Sequence, residues 1–245
     1  MKLLIDMGNS RIKWRLRHQS LTLGAGSATY DEEAVWDWLV EISAAHPLAV
    51  IWVASVAGVE REKRLLAACA ELGLPAPQFA APRASVAGLE CGYRDYRTLG
   101  VDRWLALLGA RGRGDCVVVD SGTALTVDLL LADGCHLGGY IGPGLSLMRR
   151  SLAGESAALA AALRQPLAVC AGPGLDSTGA IDSALLAMGA GLIRSALAQM
   201  PSGAQLLLSG GDAPIWEALF EGAQMAPELV FDGLEVCFSQ DETGA

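Results

Sequence analysis

Leu3-Leu4-Ile5-Asp6-Met7-Gly8-Asn9-Ser10 returns, in altered form, as Val117-Val118-Val119-Asp120-Ser121-Gly122-Thr123-Ala124. In each copy an apolar run leads into an acidic Gly turn. A second strand-like run follows, Ile12 to Leu16 in one case and Leu125 to Leu131 in the other. Both copies read as strand, tight turn, strand. Gly permits the left-handed backbone such a turn can require and lets a ligand approach the main chain. Asn, Ser and Thr add amide and hydroxyl groups to exposed backbone N–H groups, a combination that suits phosphate oxygens. An Asp does not bind phosphate directly, so it fits better as the holder of a neutralising cation. Either copy alone reads better as an ordinary hairpin. The pair points to two similar domains facing one nucleotide.

The flanking pattern repeats as well. Residues 2–6, 11–17 and 20–29 read as three strands, followed by an amphipathic helix from about Asp31 to Ala45. A buried strand over 49–55 and a helix from about Val59 to Leu72 come next, the helix stopped by Gly73 and Pro75. Residues 75–98 read as a long irregular connection, a kind of segment that is often functional. Gly100-Val101-Asp102-Arg103 then opens an apolar helix, Trp104 to Ala110. After Gly112-Arg113-Gly114 the pattern restarts with strands over 115–120, 124–132 and 135–142. Helices are expected at about Leu145–Leu163 and Thr178–Met200, then a strand at 205–208, a helix at 213–221 and a closing strand at 228–231. A β-β-β-α-β-α unit used twice predicts an α/β fold of two similar domains, residues 1–112 and 113–245.

Bulk properties narrow the function. A chain of 245 residues, 52% hydrophobic and 18% charged, has ample material for packed cores. The net charge of −9 argues against non-specific nucleic-acid binding, which needs Lys and Arg to neutralise phosphates. The uncharged apolar stretch Ser183–Ile193 is shorter than the roughly 20 residues of a bilayer span. No signal-peptide core opens the chain, so no membrane contact and a cytoplasmic location are expected. Cys69, Cys91, Cys116, Cys135, Cys170 and Cys237 form no CxxC pair and read as buried thiols. His18, His46 and His136 are scattered and read as surface or satisfied core positions.

Several nucleotide-site and catalytic motifs are absent. There is no G-x-x-x-x-G-K-[ST], no G-x-G-x-x-G, no G-x-S-x-G and no H-E-x-x-H. Besides the two acidic turns there is Ser209-Gly210-Gly211, which reads equally as a ligand-approaching turn or a plain strand-to-helix turn. Asp102 alone reads as a helix cap or first-turn dipole partner. Beside Arg103, and preceded by Tyr93, Arg94 and Arg97, it makes a polar substrate pocket plausible. A carboxylate there can accept a hydroxyl proton during phosphoryl transfer, and an adjacent Arg can bind a carboxylate. Gly138-Gly139-Tyr140-Ile141-Gly142-Pro143-Gly144 reads as backbone approached closely by a ligand or another chain, or as a sharp turn ended by Pro143-Gly144. Arg149 and Arg150 read as a solvated face.

Asp6-x-Gly8-Asn9-Ser10-x-x-Lys13, Gly100-x-Asp102-Arg103, Asp120-x-Gly122-Thr123-Ala124-x-Thr126 and Gly138-Gly139-x-Ile141-x-Pro143-Gly144, in this order and spacing, resemble the type III pantothenate kinases. The resemblance extends from Asp6 to the Ser209-Gly210-Gly211 turn. It implies a duplicated ribonuclease-H-like (actin-like ATPase) fold, shared with acetate kinase, sugar kinases, heat-shock chaperones and actin. It also implies ATP-dependent phosphorylation of pantothenate, the first step of coenzyme A synthesis. By resemblance, Asp6, Gly8, Asn9, Ser10 and Lys13 hold ATP phosphates, with Asp6 holding Mg2+ through water. Gly122, Thr123, Gly210 and Gly211 complete the ATP site. Asp102 is the base, and Tyr93, Gly100, Arg103 and Thr178 contact pantothenate, Thr178 from the partner of a homodimer. Asp120 is the ligand of a monovalent cation, K+ or NH4+. Ser10 stands where the family often has Thr, and Ser209 opens a turn often written Thr-Gly-Gly; both keep the hydroxyl. The alternatives are another small-molecule kinase of the superfamily, or a transcriptional accessory factor, as family members have been named.

Overall fold

The computed structural model describes residues 1–19, 21–30, 35–154, 157–163, 165–169 and 172–243. They fall into two compact units: Met1–Ala110 together with the residues from Glu228 onward, and Arg111–Pro227.

The first unit begins with β1 (Lys2–Met7), β2 (Arg11–His18) and β3 (Leu21–Thr29), an antiparallel meander. Helix α1 (Asp37–Ala45) and strand β4 (Val50–Ser55) follow, β4 running parallel to β1. Helix α2 (Val59–Glu71) leads to the short β5 (Gln78–Phe79), giving the sheet order β3-β2-β1-β4-β5. β1 and β4 are nearly continuous apolar runs because both faces of the sheet are covered. On one face Leu3, Ile5, Met7, Ile12 and Leu16 pack with Leu39, Ile42 and Leu65 from α1 and α2. Residues 31–34 of the expected first helix lie outside the described residues. The connection expected to be irregular holds β5, the two-stranded β6 (Ser85–Val86) and β7 (Leu89–Glu90), and a 3-10 turn at Tyr96–Thr98. Helix α3 (Val101–Ala110) closes the continuous part of this unit.

The second unit repeats the plan. β8 (Cys116–Ser121), β9 (Ala124–Leu130) and β10 (His136–Pro143) form the meander. Two helices, α4 (Leu145–Gly154) and α5 (Ala157–Ala162), stand where one was expected. Then come α6 (Ser177–Leu197), β11 (Gln205–Ser209) parallel to β8, α7 (Ala213–Glu217) and β12 (Gln224–Met225). The sheet order β10-β9-β8-β11-β12 matches the first strand for strand, with the same directions. The duplicated ribonuclease-H-like fold expected from the sequence is the fold observed.

α6 exceeds the apolar length expected from the sequence: it has 21 residues, and an 18-residue stretch of it at mean hydropathy 1.4 is long and apolar enough to cross a membrane. Its buried residues Leu185, Leu186, Ala190 and Ile193 instead join the core of this unit with Val117, Val127 and Trp216. Cys69 and Cys116 are buried thiols, burial pushing each up to about 11. Cys237 is buried too, whereas Cys91 and Cys135 are only half-buried; Cys170 lies outside the described residues. His136 is buried with its Nε2 3.0 Å from Asp128 Oδ1, as a satisfied core histidine would be.

One expected element is wrong. The strand expected at 228–231 is the start of α8 (Leu229–Thr243). Leu229, Val230, Phe231, Leu234 and Cys237 are buried apolar side chains of it, a helical spacing that a four-residue apolar run does not reveal. α8 packs on α3 so closely that a Cβ on Gly109 would overlap the Leu229 carbonyl, and one on Gly233 the Leu105 carbonyl. Trp52 of β4 stacks on Phe238 at 5.1 Å. Arg17 of β2 donates to Glu228 and Asp232 at 3.2 Å and pairs with Glu235, while Arg15 Nη2 reaches Glu228 at 2.7 Å. These contacts are why the chain from Glu228 onward groups with the first unit rather than with the half 113–245.

Candidate active site

The hairpin between β1 and β2 places Asp6 directly across from Lys13. Cross-strand partners share a face, so carboxylate and ammonium flank the same side of the sheet. It is the side opposite Leu3, Ile5 and Met7, and the one on which Arg15 and Arg17 meet α8. The Gly8 amide donates to the Arg11 carbonyl at 3.0 Å and closes the turn. Asn9 and Ser10 are exposed at its tip. The turn is also held from α2, where Arg61 Nη1 donates to the Asn9 carbonyl at 2.7 Å.

The first unit carries a second group of expected residues. Asp102 sits in the first turn of α3, inside the helix rather than at its cap, and its Oδ1 accepts the Arg103 amide at 2.8 Å. A Cβ on Gly100 would meet that same Oδ1 at 2.6 Å, so the bare backbone of Gly100 makes room for the carboxylate. Arg103 is buried, and its Nη1 donates to the Tyr93 hydroxyl at 2.7 Å, with the guanidinium 5.5 Å from the Tyr93 ring centre. Tyr93, Gly100, Asp102 and Arg103 therefore form one cluster. Arg97 does not join it: its side chain is 74% exposed and binds Asp95 at 2.8 Å.

In the second unit Asp120 faces Thr126 on β9 and Ser209 on β11. Three glycine turns meet here. Gly144 lies against the Gly122 carbonyl, and Gly210, at φ +90°, against the backbone of Ser121; neither place has room for a Cβ. The Gly144 amide donates to the Thr123 carbonyl at 3.0 Å, and the Asp212 amide to the Ser121 carbonyl at 3.0 Å. The close approach to Pro143-Gly144 thus comes from this chain's own backbone. Gly122 and Gly211 have open space where a side chain would stand. The sequence reading missed Asp212. Burial raises its pKa despite the Ser121 hydroxyl, which faces it at 3.5 Å.

Thr178 lies in the first turn of α6, which Asp176 caps by accepting the Gly179 amide at 2.7 Å. It borders a depression of about 420 Å³ with Pro166, Ala168, Leu175 and Asp182. Arg149, expected on a solvated face, makes a bidentate pair with the fully buried Asp182 at 2.7 and 3.1 Å. The pair was illegible because its members stand 33 residues apart.

No group of three or more Asp, Glu, His or Cys suited to a metal occurs among the described residues. Single hard carboxylates such as Asp6 and Asp120 fit ions held largely by phosphate oxygens and water, as Mg2+ in kinases usually is.

The family model for type III pantothenate kinases matches residues 2–199. A type III pantothenate kinase of Pseudomonas aeruginosa is 35% identical over 243 residues, covering 96% of this chain and 97% of the relative. Among solved structures, one described as a Baf family transcriptional activator from Campylobacter jejuni aligns at TM-score 0.64 and 21% identity, covering 98% of this chain and 99% of that one. A Sinorhizobium meliloti structure described as a 2-dehydro-3-deoxygalactonokinase aligns at TM-score 0.58 and 18% identity, covering 98% and 96%. The two structural likenesses establish the fold, and the sequence matches go further: this chain belongs to the type III pantothenate kinase family.

Proposed function

We propose that the protein transfers the γ-phosphoryl group of ATP to the hydroxyl of pantothenate in the cytoplasm, with Asp102 as general base. The cluster of Tyr93, Gly100, Asp102 and Arg103 carries the reading, because it places a carboxylate beside a buried arginine at the edge of one helix. Asp102 takes the hydroxyl proton as that oxygen bonds to the γ-phosphorus. The bond from phosphorus to the β–γ bridging oxygen breaks, and ADP leaves. Tyr93, Gly100 and Arg103 contact pantothenate, and the Arg103 guanidinium offers positive charge to its carboxylate.

The Asp6–Ser10 turn with Lys13 binds ATP phosphates, as do Gly122 and Thr123, and Gly210 and Gly211 offer bare backbone to the nucleotide. Asp6 would hold Mg2+ through water and Asp120 would hold K+ or NH4+; both ions supply charge neutralisation for the phosphates. In a homodimer, Thr178 completes the pantothenate site of the partner.

ADP release with ATP and pantothenate, compared with ATP alone, tests the reaction. Pantothenate-dependent release together with a phosphorylated pantothenate product supports it, and pantothenate-independent release contradicts it. Mixing Asp102→Asn and Thr178→Arg variants tests the shared site. Subunit exchange should restore part of the activity, and verified exchange without restoration would refute sharing.

A further inference from the structure

Two side chains that belong to none of the sequence motifs converge on the Asp6–Ser10 turn. Arg61 lies in the first turn of α2 and donates from Nη1 to the Asn9 carbonyl at 2.7 Å. Its guanidinium carbon sits 3.9 Å from the centre of the Tyr30 ring, the closest of the cation–aromatic contacts among the described residues. Such stacking restricts a side chain that is otherwise free to sample many rotamers. Tyr30 itself is well anchored, for its hydroxyl is buried and it packs against the first unit's core. Burial pushes Tyr30 up to about 12 against the opposing charge of Arg61, and the charge of Asp6 adds to the rise.

The bond to Asn9 has a geometric consequence. Peptides are planar, and none described here is cis. A carbonyl of Asn9 drawn toward α2 turns the Ser10 N–H of the same peptide plane the opposite way. Arg61 also adds a second positive charge, beside Lys13, to a hairpin that carries Asp6.

We propose that Arg61 is a positioning residue for the nucleotide phosphates: clamped on Tyr30, it fixes the Asn9–Ser10 peptide of the phosphate turn. The inference rests on the assignment of that turn to ATP. Its test is ATP affinity, measured directly by calorimetry without pantothenate, beside the KM values for both substrates. Arg61→Ala should weaken ATP binding and raise the ATP KM by about tenfold, the scale of one charge-assisted hydrogen bond. The pantothenate KM should stay as it is. Arg61→Gln keeps a donor for Asn9 and should recover part of the loss, and Arg61→Lys should recover more because it also keeps the charge. Tyr30→Leu should weaken ATP binding, and combining it with Arg61→Ala should add little, because the two act as one unit. Unchanged ATP affinity in folded Arg61→Ala, Gln and Lys variants would overturn the inference, and so would equal rises in both KM values. A wild-type protein that binds ATP yet never phosphorylates pantothenate would defeat the proposed reaction while leaving the affinity comparison of Arg61 variants decisive.

Discussion

The two acidic turns occupy the same place in two sheets of identical strand order, yet they are held in different ways. The turn after β1 is closed by the backbone bond from Gly8 to Arg11 and gripped by the side chain of Arg61 reaching over from α2. The turn after β8 is fixed by backbone packed against backbone, with Gly144 and Gly210 pressed on its carbonyls. A duplicated fold thus keeps its topology while the support of each loop diverges. Side-chain support leaves a turn tolerant of small changes. Backbone support leaves no room for a Cβ at the two glycines that press on the turn, Gly144 and Gly210.

The largest contrast should come from glycine substitution. Gly210→Ala combines a left-handed backbone with a direct clash and should destabilise the second unit by about 3 kcal/mol. Gly8→Ala, whose Cβ would lie 3.3 Å from the Arg11 carbonyl, should cost about 1 kcal/mol or less. Urea unfolding of both variants measures the difference, and equal costs would break the comparison.

A smaller effect sharpens it at the level of charge. If Asp120 carries a monovalent cation, activity should rise several-fold with K+ or NH4+ and much less with Na+. Asp120→Asn should abolish that response. Full activity with Mg2+ and no added monovalent ion would remove the second turn's proposed distinction.

The smallest expected effect concerns α8, which binds the first sheet through Arg15 and Arg17. Burial alone would raise Glu228, but its bonds and proximity to Arg15 and Arg17 outweigh this and lower its pKa. A lowered carboxyl contributes stability above the ordinary glutamate range, near pH 4.3, and loses it as pH falls through the lower folded value. Because Glu228 is about one-third exposed, about 1 kcal/mol or less is at stake. Thermal unfolding from pH 6 to 3 should show a shallower decline for Glu228→Gln than for the wild type. Parallel declines would deny the pair any role in anchoring α8.

These contrasts also mark how far the sequence could be read. The duplication was legible because each unit opens with an apolar strand, an acidic Gly turn and another strand, all local in sequence. Gly100, Asp102 and Arg103 were legible for the same reason, lying within four residues of one another. α8 was misread because Leu229-Val230-Phe231 fits strand or helix equally until its packing on α3 is known. β5, β6 and β7, at two residues each, are too short to leave a periodic signal. Arg61 with Asn9, and Arg149 with Asp182, depend on partners 52 and 33 residues away. No local pattern announces such pairs.

The proposed phosphoryl transfer depends most directly on Asp102. Single-turnover phosphorylation of pantothenate by Asp102→Asn, with ATP affinity measured on the same preparation, separates chemistry from binding. The rate should fall by about 100-fold or more while ATP affinity holds, as expected when a general base alone is removed. A folded Asp102→Asn protein that turns over at nearly the wild-type rate would contradict the assignment of the base and the mechanism built on it.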